Sequence, residues 1–464
     1  MTENKRFKRV LFVFKMYYMI YLLLAFNAFV NGTVWMKYAT ILSAVWGAVM
    51  GLWMLKDYRL YLKVPNLWPL AAFLLSALLS AVMNIRYGYQ ENIEGLVWMF
   101  ISLFIIYVPT CTYSREEVLK ELKITAVIYV LYCTVVHIIS LSMVFWGRNM
   151  GYTDPLGTQH IVGFNWGRLW GIYDEPNRGS VIALAAVFLA VYLFWISKKK
   201  AVKVFWAFTI IVQYLFLVFS DSRTGEVALA AGLFVLSGLC LYRRFGKLKG
   251  RAIVAFASAL VIALAVVAGT MACKQFYNSV DKKIEAAYNA KKQIPKKNVS
   301  GKKTIGRKAD LANDLSNGRI GIWGSGLEII KASPVYGASY RNITEFAEDR
   351  FPETYLIKNS LGIKYDSMHS MLVDTATAQG AIGIAVLIWL IVSALRYIKK
   401  NIKGAAPEIF RPAVVVFTVM AAIAAAATVL STIFYVNSPE TYCFWLCFGY
   451  FAALLKTGRK EEIL

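Results

Sequence analysis

The chain has 464 residues, of which 58% are hydrophobic, 15% aromatic and only 17% charged. Soluble domains are less apolar than this, so the composition excludes an ordinary soluble protein and indicates a protein that lies in a membrane. The net charge of +24 would suggest nucleic-acid binding in a soluble protein. Here many of the Lys and Arg flank apolar segments, where they fix topology and contact anionic lipid headgroups. We therefore expect the lipid bilayer as a partner and no nucleic acid.

Apolar segments long enough for a transmembrane helix, about 20 residues, recur along the chain. The first follows a basic N-terminus and carries Lys15, and because further spans follow at once we interpret it as an uncleaved helix. The seventh and eighth segments are separated by a tight connector, which leaves a broken or re-entrant element open. We predict an all-α integral membrane protein with twelve spans, at residues 10–30, 34–55, 66–83, 93–110, 123–147, 178–197, 202–220, 222–242, 251–271, 367–397, 409–433 and 440–456.

Basic residues occupy every second connector. The connectors at 56–65 and 198–201 carry Lys or Arg, whereas those at 31–33 and 436–438 carry none. This alternation is the positive-inside pattern. It predicts a multi-pass protein of the cytoplasmic membrane with both termini in the cytoplasm.

Two predicted outer connectors are long, at residues 148–177 and 272–366. The second divides the chain into spans 1–9 within residues 1–271, a large extracytoplasmic loop, and spans 10–12 with a cytoplasmic tail within residues 367–464. It is strongly basic between Lys282 and Lys308, and its Lys-rich segment at 286–292 predicts a helix on the membrane surface. Its Gly, Pro and aromatic residues from Asn317 to Tyr340 predict a folded part.

Three arginines stand in turn motifs that begin predicted helices: Arg178, Arg223 and Arg319. Arginine binds phosphate oxygens in pairs and stays charged at any working pH. A group of arginines at one membrane face therefore predicts a site for a lipid pyrophosphate, whereas headgroup contact alone is the alternative for each one singly. Arg168 is a second candidate for the role of Arg178, and we predict that Asp221 orients the Arg223 guanidinium.

The chain has three histidines. His137 lies inside an apolar run, which indicates a packed and hydrogen-bonded core residue, and His160 in a loop receives no role. His369 stands at the outer mouth of the tenth predicted helix, where a neutral imidazole can accept a proton near physiological pH. Asp366, three residues earlier, is predicted either to orient this imidazole or to cap the helix.

Taken in order, these motifs resemble the O-antigen ligase and polymerase family of bacterial surface-polysaccharide enzymes. The resemblance extends over about residues 165–383 and includes the large late loop. The segments that carry it are Trp166-Gly167-Arg168 with Gly171-Ile172-Tyr173-Asp174-Glu175-Pro176-Asn177, Ser222-Arg223-Thr224-Gly225, Gly318-Arg319-Ile320-Gly321-Ile322-Trp323 with Pro334-Val335-Tyr336-Gly337, and Met368-His369-Ser370-Met371 with Gln379-Gly380-Ala381-Ile382-Gly383.

The resemblance implies a GT-C-like membrane glycosyltransferase that works without a metal or another cofactor. Its donor would be an undecaprenyl-pyrophosphate-linked oligosaccharide, and its acceptor either a second lipid-linked unit, in a polymerase, or lipid A core, in a ligase. A flippase and a chain-length regulator are the protein partners that this implies. By motif, the catalytic residues are His369, Arg319 and Arg223, and the substrate-binding residues are Arg178, Arg168, Asp221 and Asp366.

The sequence favours a polymerase of capsule, exopolysaccharide or O-antigen, because a Lys-rich outer loop suits an anionic glycan. A ligase-type transferase is the near alternative. A polysaccharide flippase or other transporter is the alternative from another class, but such proteins usually show matched halves, which this chain lacks. A shape-and-division peptidoglycan glycosyltransferase also has a large outer loop, but its motifs are not evident. A scaffold would not need arginines at helix mouths.

Overall fold

The computed structural model describes residues 5–146, 149–154, 157–173, 175–246, 248–292, 305–306, 318–359, 362–401 and 407–457. The described part of the chain is mostly helical. The helices are α1 (Lys5–Ala25), α2 (Val34–Met54), α3 (Leu67–Met83), α4 (Gln90–Phe100, continued by a π-helix at Ile101–Tyr107 and a last turn at Val108–Thr110), α5 (Arg115–Trp146), α6 (Pro176–Ile196), α7 (Lys200–Ser220), α8 (Arg223–Arg244), α9 (Arg251–Lys292), α10 (Arg319–Ala332), α11 (Ile343–Arg350), α12 (Met371–Asn401), α13 (Phe410–Ala427) and α14 (Pro439–Thr457), with short helical turns at Leu55–Asp57, Tyr58–Tyr61, Ile85–Tyr87 and Pro407–Ile409.

Each predicted span overlaps one of these helices. Nine helices of the described residues are long and apolar enough to cross a membrane: α2, α4 to α9, α12 and α13. Helix α3 is shorter, with 17 residues, and the count of twelve spans stays a prediction. The seventh and eighth predicted spans, which could have formed a broken or re-entrant element, are two separate helices, α7 and α8, each with the length of a span.

The long connector before α6 contains a sheet, so the expectation of an all-α chain is wrong there. Strands β1 (Asn149–Thr153), β2 (Gln159–Asn165) and β3 (Arg168–Gly171) form an antiparallel sheet in the order β1-β2-β3. Glycines with positive φ at 157, 163, 167 and 171 lie in or beside its turns and its bulge, and they permit the tight reversals. Tertiary contacts also hold this sheet, since Ala28 donates its backbone N–H to Ile172 at 2.8 Å.

Helix α9 is one continuous helix of 42 residues. The sequence predicted a separate helix on the membrane surface in the Lys-rich region. This prediction is wrong for the residues up to Lys292, because they continue α9. No Gly or Pro interrupts the chain between Met271 and Lys292, and Ala and Lys favour helix continuation. The remainder of the Lys-rich stretch lies outside the described residues, except for Ile305 and Gly306.

The helix connections gather at two ends of the molecule. At one end the 84–88 connection meets the chain after α10, where Asn84 donates to the Gly337 carbonyl at 3.0 Å. The start of α6 and the α13–α14 connection meet at the same end, through a bond of 3.1 Å from Arg178 to the Ser431 carbonyl. We call this end the loop face. The basic connectors meet at the opposite end.

Residues 318–359 and 362–370 add a compact unit, the 318–370 unit, to the loop face. It has a small hydrophobic core of its own, formed by buried residues from α10, α11 and the loops around them. Ser325 ties the unit together, since its hydroxyl accepts the backbone N–H of Leu356 at 3.0 Å and the Thr354 hydroxyl at 2.7 Å. The core residues are Ile322, Ile329, Ala338, Ile343, Phe346, Ala347, Leu356 and Met368.

Helix α12 is interrupted next to this unit. Gly380 has φ 60° and ψ −152°, which are not helical values. The chain that follows α10 lies against the interruption: the Ala338 N–H donates to the Thr377 carbonyl, and the Ala381 N–H donates to the Pro334 carbonyl, both at 2.8 Å. These bonds satisfy backbone groups that the interruption leaves open, and they join the unit to a membrane helix.

Candidate active site

The three motif arginines lie at the beginnings of helices, as predicted. Arg223 is the first residue of α8 and Arg319 the first of α10, while Arg178 is the third residue of α6. Unpaired backbone N–H groups and the helix dipole already make a helix N-terminus positive. An arginine at that position therefore adds to a potential that favours a bound anion.

Asn177 joins the starts of α6 and α8. Its Oδ1 accepts a hydrogen bond of 2.9 Å from Arg168 and one of 3.0 Å from the Ser222 hydroxyl. Ser222 is the N-cap of α8 and also accepts the Gly225 N–H at 3.1 Å. Arg168 is buried and donates a second bond, of 2.9 Å, to the Ser220 carbonyl. Arg168 thus holds the α7–α8 connection in place, a positioning role that the substrate-binding prediction did not include.

Arg178 is bound by protein groups through all three of its nitrogens. Nε donates to Glu175 at 2.8 Å, Nη1 to Glu440 at 2.7 Å and Nη2 to the Ser431 carbonyl at 3.1 Å. Glu440 is fully buried at the start of α14. Two carboxylates neutralise this cation locally, so the geometry favours a clamp between α6 and α14 over direct pyrophosphate binding.

Arg319 connects the unit at 318–370 to α8. Its Nη2 donates to the Thr224 hydroxyl at 3.3 Å, and Thr224 directly follows Arg223 in the first turn of α8. Both arginines are partly buried. The second and third motifs of the sequence therefore meet in space.

Asp221 has an ion pair that the sequence did not suggest. It binds Lys274 of α9 at 2.6 Å, and the same ammonium binds Glu226 of α8 at 2.6 Å. Asp221 itself has φ 45°, in the left-handed region, at the turn between α7 and α8. The carboxylate thus ties this turn to α9; orientation of the Arg223 guanidinium stays a prediction.

His369 lies in a strained turn just before α12. Its φ of 50° is uncommon for a residue with a side chain, and such strain concentrates at functional sites. Its ring meets the Tyr365 ring edge to face, with centroids 5.8 Å apart. The left-handed backbone of His369 thus separates this residue from the helical conformation of α12, which begins at Met371.

Charged residues from the first and third arginine motifs act on the His369 imidazole. Burial is the main cause that lowers the pKa of its imidazole below the ordinary value of 6.5. The positive charges of Arg319 and Arg178 lower this pKa further, and the negative charges of Glu175 and Asp366 raise it. The imidazole is therefore neutral at neutral pH, the form that accepts a proton.

Asp366 is exposed and precedes the first residue of α12, Met371, by five positions. The alternative that it caps this helix is therefore wrong, because the helix begins later than the sequence indicated. Its charge does act on the imidazole.

The other two histidines have structural partners. His137 is fully buried, with its ring nitrogens against Gln213 and, at 3.0 Å, the Tyr173 hydroxyl, so its assignment to the core is confirmed. His160 pairs with Asp154 at 3.0 Å inside the sheet. Within the described ranges, no group of three His, Cys, Asp or Glu residues has a geometry that could hold a metal ion.

Sequence reasoning missed four polar residues around the site. Asn177 was visible in its motif, where Pro-Asn before an arginine marks a helix start. Lys274 and Glu440 had no signal, because their partners lie 53 and 262 residues away along the chain. Asp374 lies within the tenth predicted span, where the sequence shows a single acidic residue among apolar residues and no partner for it.

Comparison with known proteins identifies the domain that contains these motifs. Residues 210–388 match the family described as O-antigen ligase. The match contains Arg223, Arg319 and His369, while Arg168 and Arg178 lie before it. A search of curated proteins found no match. Residues 210–388 are therefore an O-antigen ligase domain, which supports the resemblance to the O-antigen ligase and polymerase family.

Proposed function

We propose that the protein is a polysaccharide polymerase that joins undecaprenyl-pyrophosphate-linked repeat units at its loop face. The observation that carries the proposal is the position of Arg319, the first residue of α10, which connects the unit that holds His369 to the start of α8. The Arg319 guanidinium donates to Thr224, next to Arg223, so a proton acceptor and two phosphate-binding groups share one region. The family match supports transfer of a glycan.

In the proposed reaction an acceptor hydroxyl attacks the anomeric carbon of the donor glycan. A new C–O bond forms, the bond from the anomeric carbon to the pyrophosphate oxygen breaks, and the pyrophosphate leaves with the electron pair. Arg319 and Arg223 stabilise the negative charge that develops on it. The neutral His369 imidazole takes the hydroxyl proton.

Arg178 contributes to this site indirectly. Its charge acts at the imidazole, but its hydrogen bonds go to the protein. We therefore propose that it sets the position of α6 and lowers the proton affinity of His369, and that Arg319 and Arg223 make the closer contacts with pyrophosphate.

The choice of polymerase over ligase depends on the basic character of the large loop. The chain carries Lys282, Lys283, Lys291 and Lys292 at the end of α9. An anionic growing glycan would be attracted to this charge, because steering by a basic surface raises the local concentration of an anionic substrate. We therefore propose a second lipid-linked repeat unit as the acceptor, as in a polymerase.

The test is a gel of surface polysaccharide from a deletion strain that carries wild type, Arg223→Ala, Arg319→Ala or His369→Ala. Each variant should lose the high-mass ladder and keep single repeat units, with normal amounts of protein in the membrane. Lys358→Ala is the matched control, since Lys358 is an exposed cation of the same unit that pairs with Glu353 on the surface, and it should retain the ladder. A normal ladder in all three site variants would remove the site assignment.

The same strains separate the alternatives. Loss of a ligase would leave long chains on the lipid carrier, unattached to their final acceptor. Loss of a flippase would leave repeat units on the cytoplasmic side, where periplasm-restricted glycosidases do not reach them. Single repeat units that such glycosidases do reach would support polymerase.

A further inference from the structure

Met368, the residue before His369, is held through both of its backbone polar groups. The Met368 N–H donates to Oδ1 of Asp374 at 2.8 Å, and the Met368 carbonyl accepts Nε1–H of Trp323 at 2.9 Å. Met368 is fully buried. His369, which has the unusual φ, therefore follows a residue whose N–H and C=O are both fixed, the N–H by α12 and the C=O by α10.

Asp374 is unusual for a residue within a span. It is fully buried in the first turn of α12, and charged residues at membrane depth are costly and tend to be functional. The buried hydroxyl of Ser431 lies close to this carboxyl group. In the described structure, the bond to Met368 is the one of defined length that this carboxyl group accepts.

We propose that Asp374 is a positioning residue for His369 and acts through the Met368 amide. A left-handed residue persists only where its surroundings determine it. The bond from the Met368 N–H to Asp374 fixes the peptide plane before Met368, and the bond from Trp323 fixes the plane between Met368 and His369. The start of α12 fixes the chain on the other side of His369. The expected effect of Asp374 on catalysis rests on the proposed role of His369 as proton acceptor. The effect of Asp374 on the position of His369 does not depend on that role.

An ordinary helix cap does not account for this arrangement. A cap accepts an N–H from the first turn of its own helix, whereas Asp374 accepts an N–H from a residue three positions before α12 begins. The backbone N–H of Asp374 meanwhile bonds to the Ser370 carbonyl at 2.7 Å. The carboxyl group thus acts on the turn that presents the imidazole and not on the helix end.

The first experiment observes His369 directly. The chain has three histidines, so selective ¹³C/¹⁵N-histidine labelling of the full protein in detergent gives three imidazole signals, which His→Gln variants assign. Asp374→Ala should move the His369 signal and leave those of His137 and His160 in place. Asp374→Asn retains an acceptor oxygen and should leave all three signals close to wild type.

The second readout is kinetic. Asp374→Ala should lower kcat by about 10- to 100-fold, because small misplacement of a catalytic group has effects of that order, and should change KM little. Asp374→Asn should restore kcat to within a few-fold of wild type. Where Asp374→Ala does not accumulate, Trp323→Phe removes the opposite bond to Met368 and should move the same signal.

Two outcomes would overturn the proposal. One is an unmoved His369 signal in both Asp374→Ala and Trp323→Phe. The other is a loss of kcat in Asp374→Asn as large as in Asp374→Ala, which would show that the charge matters and not the acceptor. Failure of the proposed function looks different: the His369 signal would move in Asp374→Ala while wild type transferred no glycan.

Discussion

At the scale of single residues, the environment of His369 predicts how the activity depends on pH. Its pKa is lowered chiefly by burial, so the imidazole stays neutral as the pH falls to 6.5 and becomes protonated only below that value. A base is lost on protonation. The acid limb of kcat/KM should therefore lie below pH 6.5, measured with purified protein and lipid-linked donor. An acid limb above pH 6.5 would contradict this environment.

Asp366 allows a finer test of the same field. Its negative charge raises the pKa of His369, and it is exposed, so its removal should not disturb packing. Asp366→Asn should move the acid limb to lower pH and leave kcat at pH 7.5 nearly unchanged. A shift in the opposite direction would show that Asp366 acts on the reaction by another route than its charge.

The ion pair of Arg178 with Glu440 belongs to the same scale but concerns stability. Glu440 is fully buried, and removal of one partner from a buried pair typically costs about 3 to 5 kcal/mol. Glu440→Ala should clearly lower the thermal unfolding temperature in detergent. Glu353→Ala is the control: its pair with Lys358 is 76% and 67% exposed, and it should have little effect. Equal unfolding temperatures for both variants would mean that the clamp does not hold α6 to α14.

At the scale of elements, the interruption of α12 depends on two glycines. Gly337 has φ 73°, and a Cβ there would lie 2.4 Å from the Ala378 carbonyl carbon; Gly380 has φ 60°, and its Cβ would lie 2.6 Å from the Val335 backbone. Left-handed φ alone costs about 1 to 3 kcal/mol for other residues, and backbone overlap adds to it. Gly337→Ala and Gly380→Ala should each lower the unfolding temperature and the amount of protein in the membrane.

Gly324 is the matched control for these two substitutions. It lies within α10, in the same unit, and a Cβ there would meet nothing within 4 Å. Gly324→Ala should be neutral or slightly stabilising, because Ala favours helix over Gly. Wild-type stability in all three variants would show that the chain after α10 does not dock tightly on α12.

The sequence predicted the elements wherever the signal was local. Apolar runs gave the membrane helices, and Pro176, Ser222 and Gly318 marked the starts at which Arg178, Arg223 and Arg319 stand. The sheet at 149–171 was missed, since its strands are short and depend on contacts with α5 and the chain after α1. The sequence did not predict the interruption of α12 either. A glycine within an apolar run is compatible with a continuous helix, and the interruption depends on the chain after α10, which is distant in sequence.

At the scale of the whole molecule, the connections fall into two groups at opposite ends, and the site belongs to the loop face. The alternation of basic and uncharged connectors agrees with this division: Lys56 and Arg59 lie at the end opposite to residues 318–370. Since the positive-inside rule places basic connectors in the cytoplasm, the loop face should be extracytoplasmic. A lipid-linked glycan would then meet Arg319 and His369 only after transfer across the membrane.

Labelling with a membrane-impermeant thiol reagent tests this orientation. Cys273 is exposed and Cys240 partly exposed, while the other four cysteines are buried, so Cys273→Ser/Cys240→Ser gives a quiet background. In right-side-out vesicles, Lys358→Cys should react at once and Arg59→Cys only after permeabilisation. Both native side chains are exposed, so access to the reagent differs only by the side of the membrane. The reverse order of reaction would place the arginines and His369 in the cytoplasm, and the donor would then be a precursor that has not yet crossed the membrane.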